Sequence, residues 1–366
     1  MADEERIYAL LLLRVPGIGS RRVNRLRDRF GSLSAAWHAP HWELLRTPDL
    51  GPKTLEALEA CRKSGGALDE ARREAETLDR DGISMHLLGD SHYPALLCEI
   101  ADPPAALFVR GELPLHGPMV ALVGTRAASS YGLRTARRLG CELAERGVIV
   151  VSGLAIGIDA AAHAGALSTG LTVAVLGSGV NHVTPACNRR LARAIVDGGG
   201  GILSEYPPGT PAAPGQFPAR NRIVSGMCHV TVVVEAPLRS GALITADLAL
   251  EQGRDVMAVP GAIDASQSAG SLALLSQGAK IVTGVDDVLE DLPRDWQPRP
   301  VRASLPRDLP ADEARILAAL GADPRHVDRV GTMTGLPTAV VTGLLLVLEL
   351  KSFVVQLPGN FYIRHP

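Results

Sequence analysis

Seven short apolar runs, set apart by helical stretches and glycine-rich turns, constrain this chain more than any other feature. They are Met119–Val123, Val148–Val151, Thr172–Leu176, Gly201–Ser204, Val230–Val234, Asp255–Val259 and Lys280–Val282. Each is brief, rich in β-branched residues and continuously apolar rather than alternating, as strands buried on both faces are. Helical spacing occupies the intervals Gly132–Arg146, Asp159–Ser168, Arg189–Asp197 and Thr245–Gln252. Alternating strand and helix predicts a doubly wound α/β fold built on a parallel sheet.

The flanks differ in composition. Residues 1–64 read as short helices punctuated by Gly and Pro, and residues 65–293 carry the strand–helix alternation. Residues 294–310 are Pro-rich and polar, a linker. Residues 311–366 form a small module: helices over Ala311–Leu320, His326–Thr332 and Thr338–Leu350, then a strand pair about Pro358-Gly359-Asn360, a winged-helix pattern. A hydrophobic content of 46% with 21% charged residues supplies a packed core and excludes general disorder. The net charge of −2 excludes a uniformly basic coat but leaves room for a local basic patch. The five cysteines are odd in number and widely spaced, so neither a disulfide framework nor a zinc site is expected. The acidic start has no signal-peptide core and no apolar run reaches the ~18 residues of a bilayer span. A cytoplasmic protein without membrane contact is the expectation.

Several strands end in a turn that can approach an anion: Gly124-Thr125-Arg126, Ser152-Gly153-Leu154, Gly177-Ser178-Gly179, Arg239-Ser240-Gly241 and Pro260-Gly261. Strand carboxyl ends share one rim of such a sheet, glycine permits close backbone approach, and helix N-termini offer free N–H groups. One phosphate needs one such turn, whereas a row of them suits an extended polyanion. The first turn is not G-x-G-x-x-G, the next strand ends in Ser152 rather than an acid, and no P-loop occurs, so NAD and ATP are disfavoured and no cofactor is expected. Arg220-Asn221-Arg222 either forks onto phosphates or closes salt bridges to Glu205 or Glu235. Asp159 and His163 share a helix face at i, i+4, reading as a helix start with an internal hydrogen bond or, as a minority alternative, an acid–base pair. Near the N-terminus, Val15-Pro16-Gly17-Ile18-Gly19 joins two helical patterns, with Arg21, Arg22, Arg25, Arg27 and Arg29 following. That is either a helix-hairpin-helix making weak contact with duplex DNA or an ordinary turn beside a solvated arginine face.

The motifs together resemble the DNA-processing protein A (DprA, or Smf) family. The resemblance rests on Val123-Gly124-Thr125-Arg126, Ser152-Gly153-Leu154-Ala155-Ile156-Gly157-Ile158-Asp159, Ala174-Val175-Leu176-Gly177-Ser178-Gly179, Ser204-Glu205-Tyr206-Pro207, Phe217-Pro218-Ala219-Arg220-Asn221-Arg222-Ile223, Ser240-Gly241-Ala242-Leu243-Ile244-Thr245 and Val259-Pro260-Gly261, in family order. It implies an extended Rossmann-like domain that binds single-stranded DNA, protects incoming strands in natural transformation and loads RecA recombinase, as a homodimer. It also implies a sterile-alpha-motif-like domain before it and a winged helix after it. In family terms Arg126, Arg220, Asn221 and Arg222 line the DNA groove with Gly124, Thr125, Ser152, Gly153, Gly177, Gly179, Ser240 and Gly241. The chain departs from the family at Asn181, where Asp is expected, and at Thr184, where an aromatic is expected. A rival reading, a nucleotide phosphoribohydrolase-like enzyme on the same fold, lacks the Pro-Gly-Gly-x-Gly-Thr turn and following Glu that its chemistry uses. The third helix of the winged module carries no Arg, Lys, Asn or Gln, so strong duplex binding by it is not expected.

Overall fold

The structure, a computed structural model, describes residues 2–299, 309–321, 324–351 and 353–364. Most of the linker expected over 294–310 therefore lies outside the described residues. The chain divides into two compact units, Met1–Arg299 and Pro300–Pro366.

The first unit is built on a nine-stranded sheet. Its strands are β1 (Ile83–Leu87), β2 (Ala106–Gly111), β3 (Met119–Gly124), β4 (Ile149–Ser152), β5 (Thr172–Val175), β6 (Gly201–Ser204), β7 (Val230–Glu235), β8 (Asp255–Ala258) and β9 (Lys280–Ile281), in the order β1-β2-β6-β5-β4-β3-β7-β8-β9. All pairings among β3 to β9 are parallel. The apolar runs of the sequence supply these seven strands. Val120, Leu122 and Val150 point to one face and Ala121, Val123 and Val151 to the other, and each face has its own helical cover and core. Burial on both sides is what makes the runs continuously apolar.

β1 and β2 are an addition to the parallel sheet that the sequence predicts. They pair antiparallel with each other, and β2 pairs antiparallel with β6. β1 alternates buried and less buried residues, so it carries no continuous apolar run.

Six helices precede β1, from Ala2–Arg14 to Ala67–Arg80. Leu10, Leu12, Leu26, Leu55 and Leu58 are fully or almost fully buried, and their core runs without interruption into Met85, Phe108, Leu176 and Ile202 of the sheet unit. The second unit has its own core of Ile316, Leu317, Val330, Val341, Leu345, Leu348 and Tyr362. Helices Ala311–Ala318, Val327–Thr334 and Thr338–Leu350 and strands Val354–Leu357 and Phe361–Arg364 make the winged helix expected there, with a further short strand at Arg325–His326.

Candidate nucleic-acid interface

The sheet changes winding direction at β3. Strands β4, β5 and β6 lie to one side of it and β7 to the other, so the crevice outside the carboxyl ends of β3 and β7 is where such sheets take ligands. A cleft of about 670 Å³ occupies that position. Gly124, Thr125, Arg126, Gly153, Arg220, Asn221, Ser240 and Gly241 all line it. Helices Ile158–Ala166 and Gly241–Glu251 begin at the cleft, with Asp159, Gly241 and Ala242 in its wall, and a helix N-terminus carries partial positive charge.

Each turn is held by a specific polar group, buried in the case of Glu235 and Asp159. The Thr125 N–H donates to the Glu235 carbonyl at 2.7 Å. The Glu235 carboxylate accepts from the Ser129 N–H at 2.8 Å and its hydroxyl at 2.6 Å, fixing the start of the helix after β3. Glu235 is thus engaged locally and closes no bridge to the Arg220-Asn221-Arg222 segment. In the second turn, Asp159 Oδ2 accepts the N–H groups of Gly153 at 3.2 Å and Ala155 at 3.3 Å. Burial raises the Asp159 pKa, while Arg220 and these N–H groups pull it back down. Gly157, at φ +83°, lets this turn pass so close to the Thr125 and Arg126 backbone that any Cβ would collide with the Thr125 carbonyl. The third turn begins with Ser240, whose hydroxyl caps the following helix by accepting from the Ala242 N–H.

The arginines divide by burial. Arg126 is exposed, with its guanidinium 5.5 Å from the ring centre of Phe217, and among the described residues it has no acidic partner. Arg220 is only 5% exposed. It donates to the carbonyls of Gly153, at 2.7 Å, and Val175, and it fills the space beneath Gly153 that a side chain there would need. Asn221 links it to the third turn, accepting from Arg220 Nε and donating to the Gly241 carbonyl. Arg222 points away from the cleft, with Glu205 at 2.7 Å and Asp102 at 3.5 Å, the salt-bridge alternative that the sequence leaves open.

Three further sequence candidates do not line the cleft. Ser152 is fully buried and donates to the Leu122 carbonyl at 2.6 Å. Gly177 lies under the start of helix Gln216–Gly226, and Gly179 packs on the Pro207 carbonyl. His163 is fully buried beside Thr172, with Nδ1 2.7 Å from the threonine hydroxyl, and burial pushes its pKa down to about 3. Phe217 is a cleft residue that sequence reasoning misses. It is the aromatic shortly before Arg220-Asn221-Arg222, and it brings to the cleft an aromatic face that the chain lacks at 184.

The N-terminal arginines are mostly engaged internally. Arg22 donates to the carbonyls of Gly17 and Asp49, Arg27 to Leu88 and Arg29 to Arg46, while Arg21 and Arg25 face the Asp49 carboxylate. Ser20, opening the second helix of the hairpin, donates to Glu205 at 3.1 Å.

Comparison with known proteins gives the chain a family and a fold. The family model described as DNA recombination-mediator protein A matches residues 84–293, and that of the DprA winged helix domain matches residues 300–360. The chain is 44% identical to Protein Smf of Escherichia coli K12, over 74% of this chain and 75% of the relative. It is 34% identical to Protein Smf of Synechocystis over the full length of both. Among solved structures, DNA processing protein A from Streptococcus pneumoniae superposes with a TM-score of 0.62 at 33% identity, covering 78% of this chain and 97% of that one. A structure of the same protein from Helicobacter pylori, described for its single-stranded DNA binding mode, superposes with a TM-score of 0.51 at 28% identity, over 57% and 94%.

Proposed function

Since the chain belongs to the DNA recombination-mediator protein A (DprA/Smf) family, we propose that it binds single-stranded DNA in the cleft at the carboxyl ends of β3 and β7 and serves transformation and recombination. The observation that carries the reading is Arg126. It is an exposed, acid-free guanidinium beside an aromatic ring, at the mouth of a cleft of glycine turns and helix N-termini. A guanidinium takes phosphate, an aromatic face takes a base, and backbone N–H groups take the next phosphate. Gly124, Thr125, Gly153, Asn221, Ser240 and Gly241 serve as the polar floor. Arg220 holds that floor from beneath, and Arg222, engaged by Glu205 and Asp102, lies outside it. Low sequence preference follows, because phosphates and glycine backbone carry no base code.

The finer parts of the reading rest on the family. We infer that the chain acts in the cytoplasm as a homodimer, delivers the strand to RecA and performs no catalysis. The buried Asp159 and His163 then serve the turn rather than a reaction. Residues 65–293 bear the groove, residues 1–64 contribute at most weak duplex contact through the hairpin, and residues 311–366 act separately beyond the linker. Titrating single- and double-stranded oligonucleotides of one sequence against the parent chain and Arg126→Ala tests the core of the proposal. The parent should prefer the single strand, and the variant should bind it more weakly with a flatter salt dependence. Equal affinity for both forms in the parent would overturn the reading. Sedimentation showing only a 38.5 kDa species at micromolar concentration would overturn the dimer.

A further inference from the structure

Four arginines gather on the flank of the sheet, away from the cleft. Arg189, Arg190 and Arg193 lie on helix Arg189–Asp197 and Arg110 lies near the end of β2, and together they line a trough of about 540 Å³. All four are exposed, and among the described residues none of their side chains has a hydrogen-bond or ion-pair partner. The contrast with helix Ser20–Phe30 is sharp, since its arginines all meet a carbonyl or a carboxylate. Uncompensated guanidinium groups converging on one concave surface repel one another and raise the local concentration of anions.

The helix itself adds to this field. Its first turn holds no acid, and its leading N–H groups have no side-chain cap. Asn188, at the cap position, instead donates its amide to the Leu154 carbonyl at 2.8 Å. That bond ties the head of the trough to the second glycine turn, where Gly153 and Ala155 line the main cleft. Asp197, at the far end, is the one carboxylate among the described residues of the trough wall. The helix has nine residues, which at 1.5 Å per residue makes the flank about 13 Å long.

Resting on the single-strand reading above, we propose that this trough is a second phosphate-binding station, which takes the backbone of the same strand as it leaves the cleft past residues 153–155. The ligand is a run of phosphodiesters, held by charge and forked N–H donors without base contacts. It follows that a strand long enough to fill both sites binds more tightly and with a steeper salt dependence than one that fills the cleft alone.

The test compares two oligothymidylates, of about six and about sixteen nucleotides, titrated against the full chain and its Arg110→Ala/Arg193→Ala variant at several salt concentrations. Both substitutions are at exposed side chains without partners, so folding is retained. The variant should bind the long strand about tenfold more weakly, with the logarithmic salt slope lowered by about 0.7 for each phosphate no longer held. Its affinity for the short strand should be unchanged. Unchanged affinity and slope on the long strand would overturn the trough while leaving the cleft standing. Equal losses on both lengths would overturn it too, since they would assign the arginines to the cleft or to the fold. A parent chain that binds neither length removes the single-strand reading and the trough with it.

Discussion

Arg126 and Arg220 bear the same charged group and do opposite work. Arg126 stands in solvent over Phe217, so Arg126→Ala should leave unfolding by urea within about 0.5 kcal/mol of the parent while weakening single-strand binding. Arg220 is buried beside Asp159 and under Gly153. Arg220→Ala should cost about 3–5 kcal/mol, because it strands a buried carboxyl group and two carbonyls. A urea midpoint near the parent's would show that Arg220 is no pillar. His163 gives the pH dependence. Its imidazole is held neutral by burial, with a pKa of about 3 against about 6.5 in the unfolded chain. Between those values the unfolded state binds the additional proton. Its contribution is therefore complete above about pH 6.5 and is lost as pH falls, at up to about 1.4 kcal/mol per pH unit. Asp159, with its pKa raised, works in the opposite sense, favouring the fold at low pH and losing that contribution as pH rises. The diagnostic comparison is therefore His163→Gln, whose stability should decline less steeply than the parent's between pH 6.5 and 4. Parallel curves would assign the acid limb to other groups.

Elements differ in how far their sequence betrays them. The parallel strands are legible because burial on both faces leaves only apolar residues to occupy them. β1 is not, because its less buried side tolerates Ser84 and His86. The glycine turns are legible as a rim and Glu205 as an alternative partner of Arg222, but the other partners of the arginines are not. Arg222 also meets Asp102, and Arg27 meets the Leu88 carbonyl, across distances in sequence that no local pattern spans. Helix Thr338–Leu350 is legible in both extent and character. It exposes Val340, Leu346 and Leu350, and Lys351 just beyond its end is paired with Glu313 at 2.7 Å. A recognition helix needs donors on that face. The module of residues 309–366 should therefore leave a duplex oligonucleotide unshifted at physiological salt, and a retarded band would assign the helix or the wing to DNA.

For the whole molecule, the two flanks of the sheet unit should respond differently to removal. The core of residues 300–366 is its own, so a chain ending at Arg299 should melt within a few degrees of the parent's main transition and keep most of its single-strand affinity. The leading helices share their core with Met85, Phe108, Leu176 and Ile202. Removing residues 1–64 should expose that surface and yield an aggregating or strongly destabilised protein, as scanning calorimetry and light scattering would show; a clean, parent-like transition would contradict the shared core. The sheet order also sets a timetable for synthesis. β3 lies between β4 and β7, and its register with β7 matches Val120 to Val230. A ribosome must therefore deliver nearly twice the chain length that ends at β3 before this strand meets its second partner. The turns at 124 and 153 emerge early, but the one at 239–241 comes last, so a nascent chain has no complete groove until late in translation. The groove is then completed in one late step, after a long interval in which the central strand keeps one bare edge, the kind of unpaired edge that invites aggregation or chaperone binding.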